Sequence, residues 1–387
     1  MNDNKKEEAN KSGIKSAIIV IILLAAVFIV ARYATDESFR SYIDINFLRK
    51  EVSESTLTTI EIDPDSNPTV FAYDKYVSVL SKNTLTSYTS SGKAFSELNV
   101  NISIPLYETN GKYLVLAEKD DNKVYLISGS SIIWDKTVDG SIIRVNVNQN
   151  GFVSLVIKNT IYKSVVLYFD LNGKELFRSY LSTNYAICTA ISTDNKYLAV
   201  GEVDYTGTII KSYVKIISAE LAQTDPNNSI VYTYESDNDS IITDINYQDK
   251  NTVICMFDHY IQKVSLNSNE RIYDYTNNDV FADINLKNSI AILNKQSSGL
   301  FSYEYEIAFK NTDGKSENLY IFNSGLPKSI VANESVVALN LGNEIQIVSQ
   351  NGWLLKKYVS NKQITNIVLG NSIAGIIYKN KIEVLDF

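Results

Sequence analysis

One histidine, two cysteines, two tryptophans and five prolines in 387 residues remove several kinds of chemistry before any motif is sought. A lone His259 rules out a metal site built on two or more imidazoles. Cys188 and Cys255 sit in apolar strand contexts, AICTAI and TVICMF, and read as buried free thiols rather than as a bridge between neighbouring repeats. So few cysteines cannot hold the fold together by disulfides. Positive charge is short as well: 36 Lys and Arg stand against 44 Asp and Glu, a net charge of −8. Five of the basic and three of the acidic residues fall in the first 32, so residues 33–387 carry 31 against 41, about −10. Such a surface repels sugar-phosphate backbones and anionic headgroups on average, which argues against a nucleic-acid partner. No G-x-S-x-G elbow, phosphate-cradling glycine loop or zincin motif is present.

What the chain has in quantity is one short unit, repeated from about residue 69 to the C-terminus. An alternating apolar/polar strand meets a Gly- or Asn-containing turn and a second strand follows. The clearest copy is Tyr185–Val200, YAICTAISTDNKYLAV, broken at Thr193-Asp194-Asn195. Others turn at Asn110-Gly111, Asn150-Gly151, Asn172-Gly173 and Asn351-Gly352, where both residue types tolerate positive φ. Repetition of this kind predicts an all-β radial array, a β-propeller.

The turns divide the chain into strand sets at 69–100, 102–138, 141–181, 185–235, 240–276, 279–323 and 328–360. Residues 363–387 then supply three strands and no fourth, while LTTIEI at Leu57–Ile62 is a strand without a set. An open sheet edge invites aggregation, so the N-terminal strand is expected to complete the last blade and close the ring. Residues 57–387 then give eight four-stranded blades of about 41 residues, within the ~40–45 of such repeats. Seven blades, at about 47 each, is the alternative.

Ahead of the repeats lie Ser16, Ala17, Ile18, Ile19, Val20, Ile21, Ile22, Leu23, Leu24, Ala25, Ala26, Val27, Phe28, Ile29, Val30 and Ala31, uncharged and flanked by Lys15 and Arg32. This is a little short of the ~20 residues a spanning helix needs, but flanking charges snorkel and Ile14, Tyr33 and Ala34 extend the run. A cut after Ala34 would place Arg32 at −3 and a cut after Ala31 would place Ile29 there, so signal-peptide cleavage is disfavoured. No cysteine follows for lipoprotein processing. The expectation is an uncleaved transmembrane anchor over 15–34 with a tail at 1–14. Lys5, Lys6, Lys11 and Lys15 precede it, against Arg32 and Arg40 close behind, which sets the N-terminus in the cytoplasm and the repeats outside. Residues 35–56 form a polar connector, either a stalk or a short amphipathic helix with Phe39, Tyr42, Ile43, Phe47 and Leu48 on one face.

STDNKYLAV at Ser192–Val200 resembles the strand-turn-strand element of WD40 and TolB-type propeller repeats, without the Trp-Asp signature. FDLNGKELF at Phe169–Phe177 is similar to quinoprotein-like propellers such as outer-membrane assembly scaffolds. The layout of Lys-flanked anchor, short connector and divergent Tyr-rich repeats resembles the bacterial family catalogued as domain of unknown function 5711, over nearly the whole chain. That resemblance implies an anchored, divergent propeller and no activity, and it carries over no catalytic residue.

The remaining candidates are few. His259 reads as structural. Trp134 and Trp353 are too few to dock a quinone and are expected to pack between blades. Asp63-Pro64-Asp65-Ser66-Asn67, with Asp74 eleven residues after Asp63, opens like a calcium loop but has Pro68 where the turn glycine belongs, so an Asx/Pro turn is expected. Among 41 acidic residues, carboxylate pairs arise by chance. Phe301, Tyr303 and Tyr305 alternate along a Tyr-rich hairpin and are the candidate partner surface. The expected function is a non-catalytic binding or scaffold protein of the bacterial cell envelope. It would be held by one membrane helix, take an envelope protein or polymer as partner, and need no cofactor or metal. The alternatives are an envelope carbohydrate-active enzyme using carboxylates in the propeller funnel, or the sensing half of a two-protein signalling pair. The enzyme reading expects Asp, Glu, Arg and Tyr to converge near the axis.

Overall fold

The computed structural model describes residues 3–35, 39, 43–44, 47–48, 51–52, 57–297, 303–313 and 317–387, in two compact units, Met1–Val52 and Ser53–Phe387. The first unit is built on helix α1, Asp3–Thr35. It starts well before the apolar run and takes in most of the expected tail, because Lys5, Lys6, Glu7, Glu8 and Ala9 are good helix formers. From Ile19 to Val30 its large apolar side chains are all about half exposed or more, Ile29 least at 49%. Among the described residues no helix is long and apolar enough to cross a membrane. The described side chains of α1 begin at Ile19, inside a run that starts at Ser16, and the span expected over 15–34 is not established by them. Of the connector, Tyr42 lies outside the described residues, while the Phe47 and Leu48 amides both donate to the Ile43 carbonyl at 3.0 Å.

The second unit is a ring of eight antiparallel blades of four strands, the first seven of them meanders of consecutive strands. Blades 1 to 7 occupy residues 69–99, 105–137, 141–181, 185–235, 242–274, 279–322 and 329–359. Blade 8 takes three strands from 366–386 and its outermost from Thr58–Glu61. That strand runs antiparallel to Lys381–Asp386, with Thr58 opposite Val384 and Ile60 opposite Ile382. The eight-bladed ring and its closure by the N-terminal strand are as the turns predicted.

Blade faces bury against one another, and this decides the strand pattern. The second strand of each blade is apolar on both faces, as in Tyr113–Glu118 and Val153–Lys158, because a neighbouring blade covers each side. Outer strands such as Ala94–Asn99 and Ser131–Thr137 alternate or stand exposed, and period-two patterning also marks third strands such as Thr84–Tyr88. Between blades 2 and 3, Val115, Leu126 and Trp134 pack with Leu155, Leu167 and Phe169. At the seam, Ile60, Ile373, Ile382 and Val384 of blade 8 pack with Val77 and Val79 of blade 1. Cys188 and Cys255 are buried free thiols in the cluster that joins blades 4 and 5.

Buried polar latches recur among these seams. In blades 5, 7 and 8 the third residue of the third strand is Gln262, Gln346 or Glu383, all buried. Each accepts a hydrogen bond from a tyrosine on the preceding blade's outer strand: Tyr234 at 3.4 Å, Tyr320 at 2.8 Å and Tyr358. Glu383 also accepts from Tyr378 at 3.0 Å and pairs with Lys381, so its charge is compensated inside the core.

One expectation fails. Trp134 packs between blades, 5.9 Å from Phe169, but Trp353 is 67% exposed. It sits in the turn after Gly352, just before the outer strand of blade 7, where no neighbour covers it. Asp63 forms the ordinary turn, its carboxylate accepting from the Asp65 amide at 3.0 Å.

Truncating the seam should cost what a buried isoleucine contributes. Ile60→Ala is expected to destabilise by about 2–5 kcal/mol, read by denaturant unfolding, whereas Thr59→Ala on the exposed face should change stability by less than about 0.5 kcal/mol.

Candidate functional site at the axial mouth

The first strand of every blade ends at the same mouth of the ring. The turns that follow enclose an axial cavity of about 480 Å³ lined by residues from all eight blades. These turns are rich in Asn because each must reverse tightly and then reach sideways. Asn148 Nδ2 donates to the Ser192 carbonyl at 3.1 Å, joining blades 3 and 4. Gln248 Nε2 donates to Leu286 O at 2.9 Å, and Asn333 Nδ2 to Gly370 O at 2.8 Å, joining blades 5 to 6 and 7 to 8. Backbone amides complete more of the belt: Lys287 to Glu334 O at 2.8 Å, Asn371 to Asp74 O at 2.7 Å, and Asp74 to Gly111 O at 3.1 Å. Among the described residues no such bond joins blade 2 to 3 or blade 4 to 5 at this mouth. At Gly151, φ is +77° and a Cβ would lie 2.6 Å from Leu171 Cδ1, so this turn requires glycine.

Carboxylates stand on the strands below this belt. Glu108 is on blade 2, Asp244 on blade 5 and Asp283 on blade 6. A bulge between Ile142 and Arg144 in blade 3, and another between Ile242 and Asp244 in blade 5, re-aim those two charged residues. Glu108 touches cavity solvent yet is ringed by protein, and this loss of bulk hydration, with Asp244 and Asp283 repelling it, pushes its carboxyl from the usual 4.5 to about 7. Burial, opposed by a hydrogen bond from the Ile245 amide and reinforced by Asp283, raises Asp244 to about 6. Asp283 is raised by burial as well. Arg144 is the cation that acts on Asp244, and its guanidinium also donates to the Ile187 carbonyl at 3.1 Å and that of Ile143 at 2.9 Å. None of the three carboxylates makes an ion pair among the described residues, and no group of three metal-ligating side chains comes together there.

The opposite face of the ring has a different character. On the loops and strand ends of blades 3 and 4, Tyr162 and Tyr180 lie 4.7 Å apart, and Tyr185 and Tyr205 stack at 4.9 Å. The Lys163 ammonium sits 4.9 Å from the Tyr185 ring and 5.6 Å from that of Tyr205. Ile161 tops its loop at 82% exposure, with Tyr180 and Tyr205 half exposed.

The two described members of the partner surface expected on the Tyr-rich hairpin differ in exposure. Phe301 lies outside the described residues. Tyr303 is exposed beneath the Lys295 ammonium, 3.7 Å away. Tyr305 is buried and stacks on Phe322 at 5.8 Å, because residues two apart on this strand meet different depths of the blade. His259 has Nε2 3.2 Å from Ser240 Oγ and Nδ1 2.8 Å from Asp258. Neither the axial carboxylates nor the tyrosine cluster of blades 3 and 4 was singled out by sequence. The available signals were a charge inside the first strand of a blade and aromatic residues within polar loops.

Residues 48–387 match a family described as "Family of unknown function (DUF5711)", and the chain belongs to it. No curated protein matches the sequence. Among solved structures, the C-terminal WD40 domain of Sif2 is similar, with a TM-score of 0.55 at 9% identity over 85% of this chain and 98% of that one. Sqt1 of Chaetomium thermophilum, solved bound to the N-terminus of the ribosomal protein L10, gives 0.50 at 12% identity over 86% and 100%. BamB of Moraxella catarrhalis gives 0.48 at 9% identity over 86% and 100%. At these identities the likeness shows the propeller fold alone.

Because the Glu108 carboxyl is raised in the folded state, the native protein holds a proton there that the unfolded chain releases near pH 4.5. Its stability contribution is therefore full below that pH and is lost as pH rises through about 7. Glu108→Gln removes the effect. The melting temperature of this variant should exceed that of the parent by a margin that grows between those two pH values and is constant above, as thermal scans across the range would read.

Proposed function

We propose that this protein is a non-catalytic binding propeller, tethered by α1 to the bacterial cytoplasmic membrane and displayed on its outer face, with an envelope protein or polymer as partner. The observation that carries the binding role is the exposed cluster of Ile161, Tyr180, Tyr205 and their stacked neighbours on the loop face of blades 3 and 4. Rigid aromatic side chains supply large contact area at low entropic cost, and they anchor partner surfaces more often than other side chains do. The exposed apolar side chains from Ile19 to Val30 support the tether, since lipid would cover them. The lysines before the run support the outward orientation.

A second reading, the carbohydrate-active enzyme, has one observation in its favour. Glu108 and Asp244 both line the axial cavity, and a carboxyl held near neutrality suits a general acid. Hydrolysis of envelope glycans that survives Asp244→Asn and Glu108→Gln together would remove it.

Capture from envelope extracts tests the binding reading. The full chain should retain a partner that a tail-and-helix control does not. Combined Tyr180→Ala and Tyr205→Ala should lower its recovery about tenfold or more without changing the circular dichroism. Equal recovery by the double variant would count against the loop face.

A further inference from the structure

We infer that blade 4 is a site of covalent self-modification, in which the Lys215 amine and the Asn184 carboxamide condense to an internal isopeptide bond. The bond forms whatever the ring binds, so neither the partner reading nor the axial cavity bears on it. Among the described residues of the ring, Glu202 and Glu383 are acids almost wholly withdrawn from solvent, at 2% and 1% exposure. Hydroxyls of Tyr358 and Tyr378 and the Lys381 ammonium hold Glu383. Glu202 is held differently. Lys215 Nζ donates to its Oε2 at 2.7 Å, and Asn184 Nδ2 donates to the same oxygen at 2.9 Å. One buried carboxylate oxygen thus gathers an amine and a carboxamide, the two groups whose condensation gives an amide.

The surroundings suit that reaction. Glu202 lies on the second strand of blade 4, opposite Tyr213, and Lys215 on the third, opposite Val200. Asn184 is 7% exposed and immediately precedes the first strand, Tyr185–Ile191. On the same strand faces as Glu202 and Lys215, Leu198, Val200 and Ile217 belong to the apolar cluster that joins blades 3 and 4. The Lys215 side chain is 25% exposed, which gives a small leaving group a way to solvent. An ion pair in such a seam loses much of its hydration. Passage of one proton from the ammonium to the carboxylate cancels both charges and leaves a free amine. A desolvated lysine amine is a nucleophile, and one held beside its target reacts as an intramolecular group.

The step balances without a co-reactant. Lys215 Nζ, having passed one proton to Glu202, attacks Cγ of Asn184, and the Nζ–Cγ bond forms. Glu202 delivers that proton to Nδ2 and takes another from Nζ, acting as general acid and general base in turn. The Cγ–Nδ2 bond breaks and Nδ2 leaves as ammonia. A neutral secondary amide then stands where an ion pair stood, with the remaining proton on Glu202. Because Asn184 adjoins Tyr185, the bond also ties the base of the tyrosine cluster to the third strand of the blade.

Intact mass spectrometry of the native full chain, followed by tandem mass spectrometry of a protease digest, tests this. The expected result is a chain lighter by one ammonia, with a branched peptide joining positions 184 and 215. An ion pair alone leaves the mass unchanged, so a parent chain of full mass would overturn the proposal. Cyclisation at an Asn-Gly turn such as Asn110-Gly111 also expels ammonia but yields no branch, and loss of ammonia without the branched peptide overturns the proposal equally. Lys215→Arg keeps the positive charge without the amine nucleophile and should retain full mass. In freshly synthesised chain, Glu202→Gln should slow formation of the branch about tenfold or more; formation at the parent's rate would contradict the part given to the carboxylate. Should a variant fail to fold, the digest of the parent decides alone.

Discussion

A four-stranded antiparallel blade has two apolar faces and no means of covering either by itself. Every blade in this protein is therefore stable only as a neighbour of two others, and the ring exists only if its last pair of faces meets. The pairing of Thr58–Glu61 with Lys381–Asp386 supplies that meeting, placing Ile60 in the same cluster as Val77 and Val79 of blade 1. The closing strand hides an edge that would otherwise pair with another chain. It also couples the part of the chain that follows α1 directly to the stability of the whole ring. The tyrosine latches onto Gln262, Gln346 and Glu383 add direction to the largely non-directional packing, since each buried acceptor is satisfied only at one blade spacing.

Closure also explains the cavity. Eight first strands around one axis leave a channel too wide for their side chains to fill, and their turns must end somewhere on its rim. Amide side chains that would be ordinary turn formers become ties between blades, as Asn148, Gln248 and Asn333 show. Hydrogen bonds tie the rim at its other joints; among the described residues none does so between blades 2 and 3 or between blades 4 and 5, where packing joins the blades instead. The carboxylates of Glu108 and Asp244 stand on strands that border those joints. Burial raises both carboxyls, and perturbed acids lining one cavity are a mark of binding or chemistry more than of architecture.

Much of the architecture was legible because it is written locally. Turns such as Asn110-Gly111 and Asn150-Gly151 mark where strands reverse, and the strand sets between turns, with about 41 residues to each, lead to eight blades closed by one orphan strand. The inner strands were harder, because burial on both faces erases their alternation. The site was scarcely legible at all. Glu108, Asp244 and Asp283 are separated by 136 and then 39 positions, and only the ring brings them to one axis. The tyrosine cluster unites loops of two blades in the same way. Tyr305 and Trp353 show the converse error: an aromatic residue's strand position does not reveal whether a neighbouring blade covers it. Tyr305 is covered and Trp353 is not.

The central claim is that the N-terminal strand is part of the ring rather than a connector lying on it. Hydrogen exchange read by mass spectrometry on the native full chain tests this most directly. If the claim holds, the amides of residues 58–61 exchange as slowly as those of 381–386, and both are released together as denaturant is added. Rapid exchange at 58–61 while 381–386 and 76–81 stay protected would contradict it.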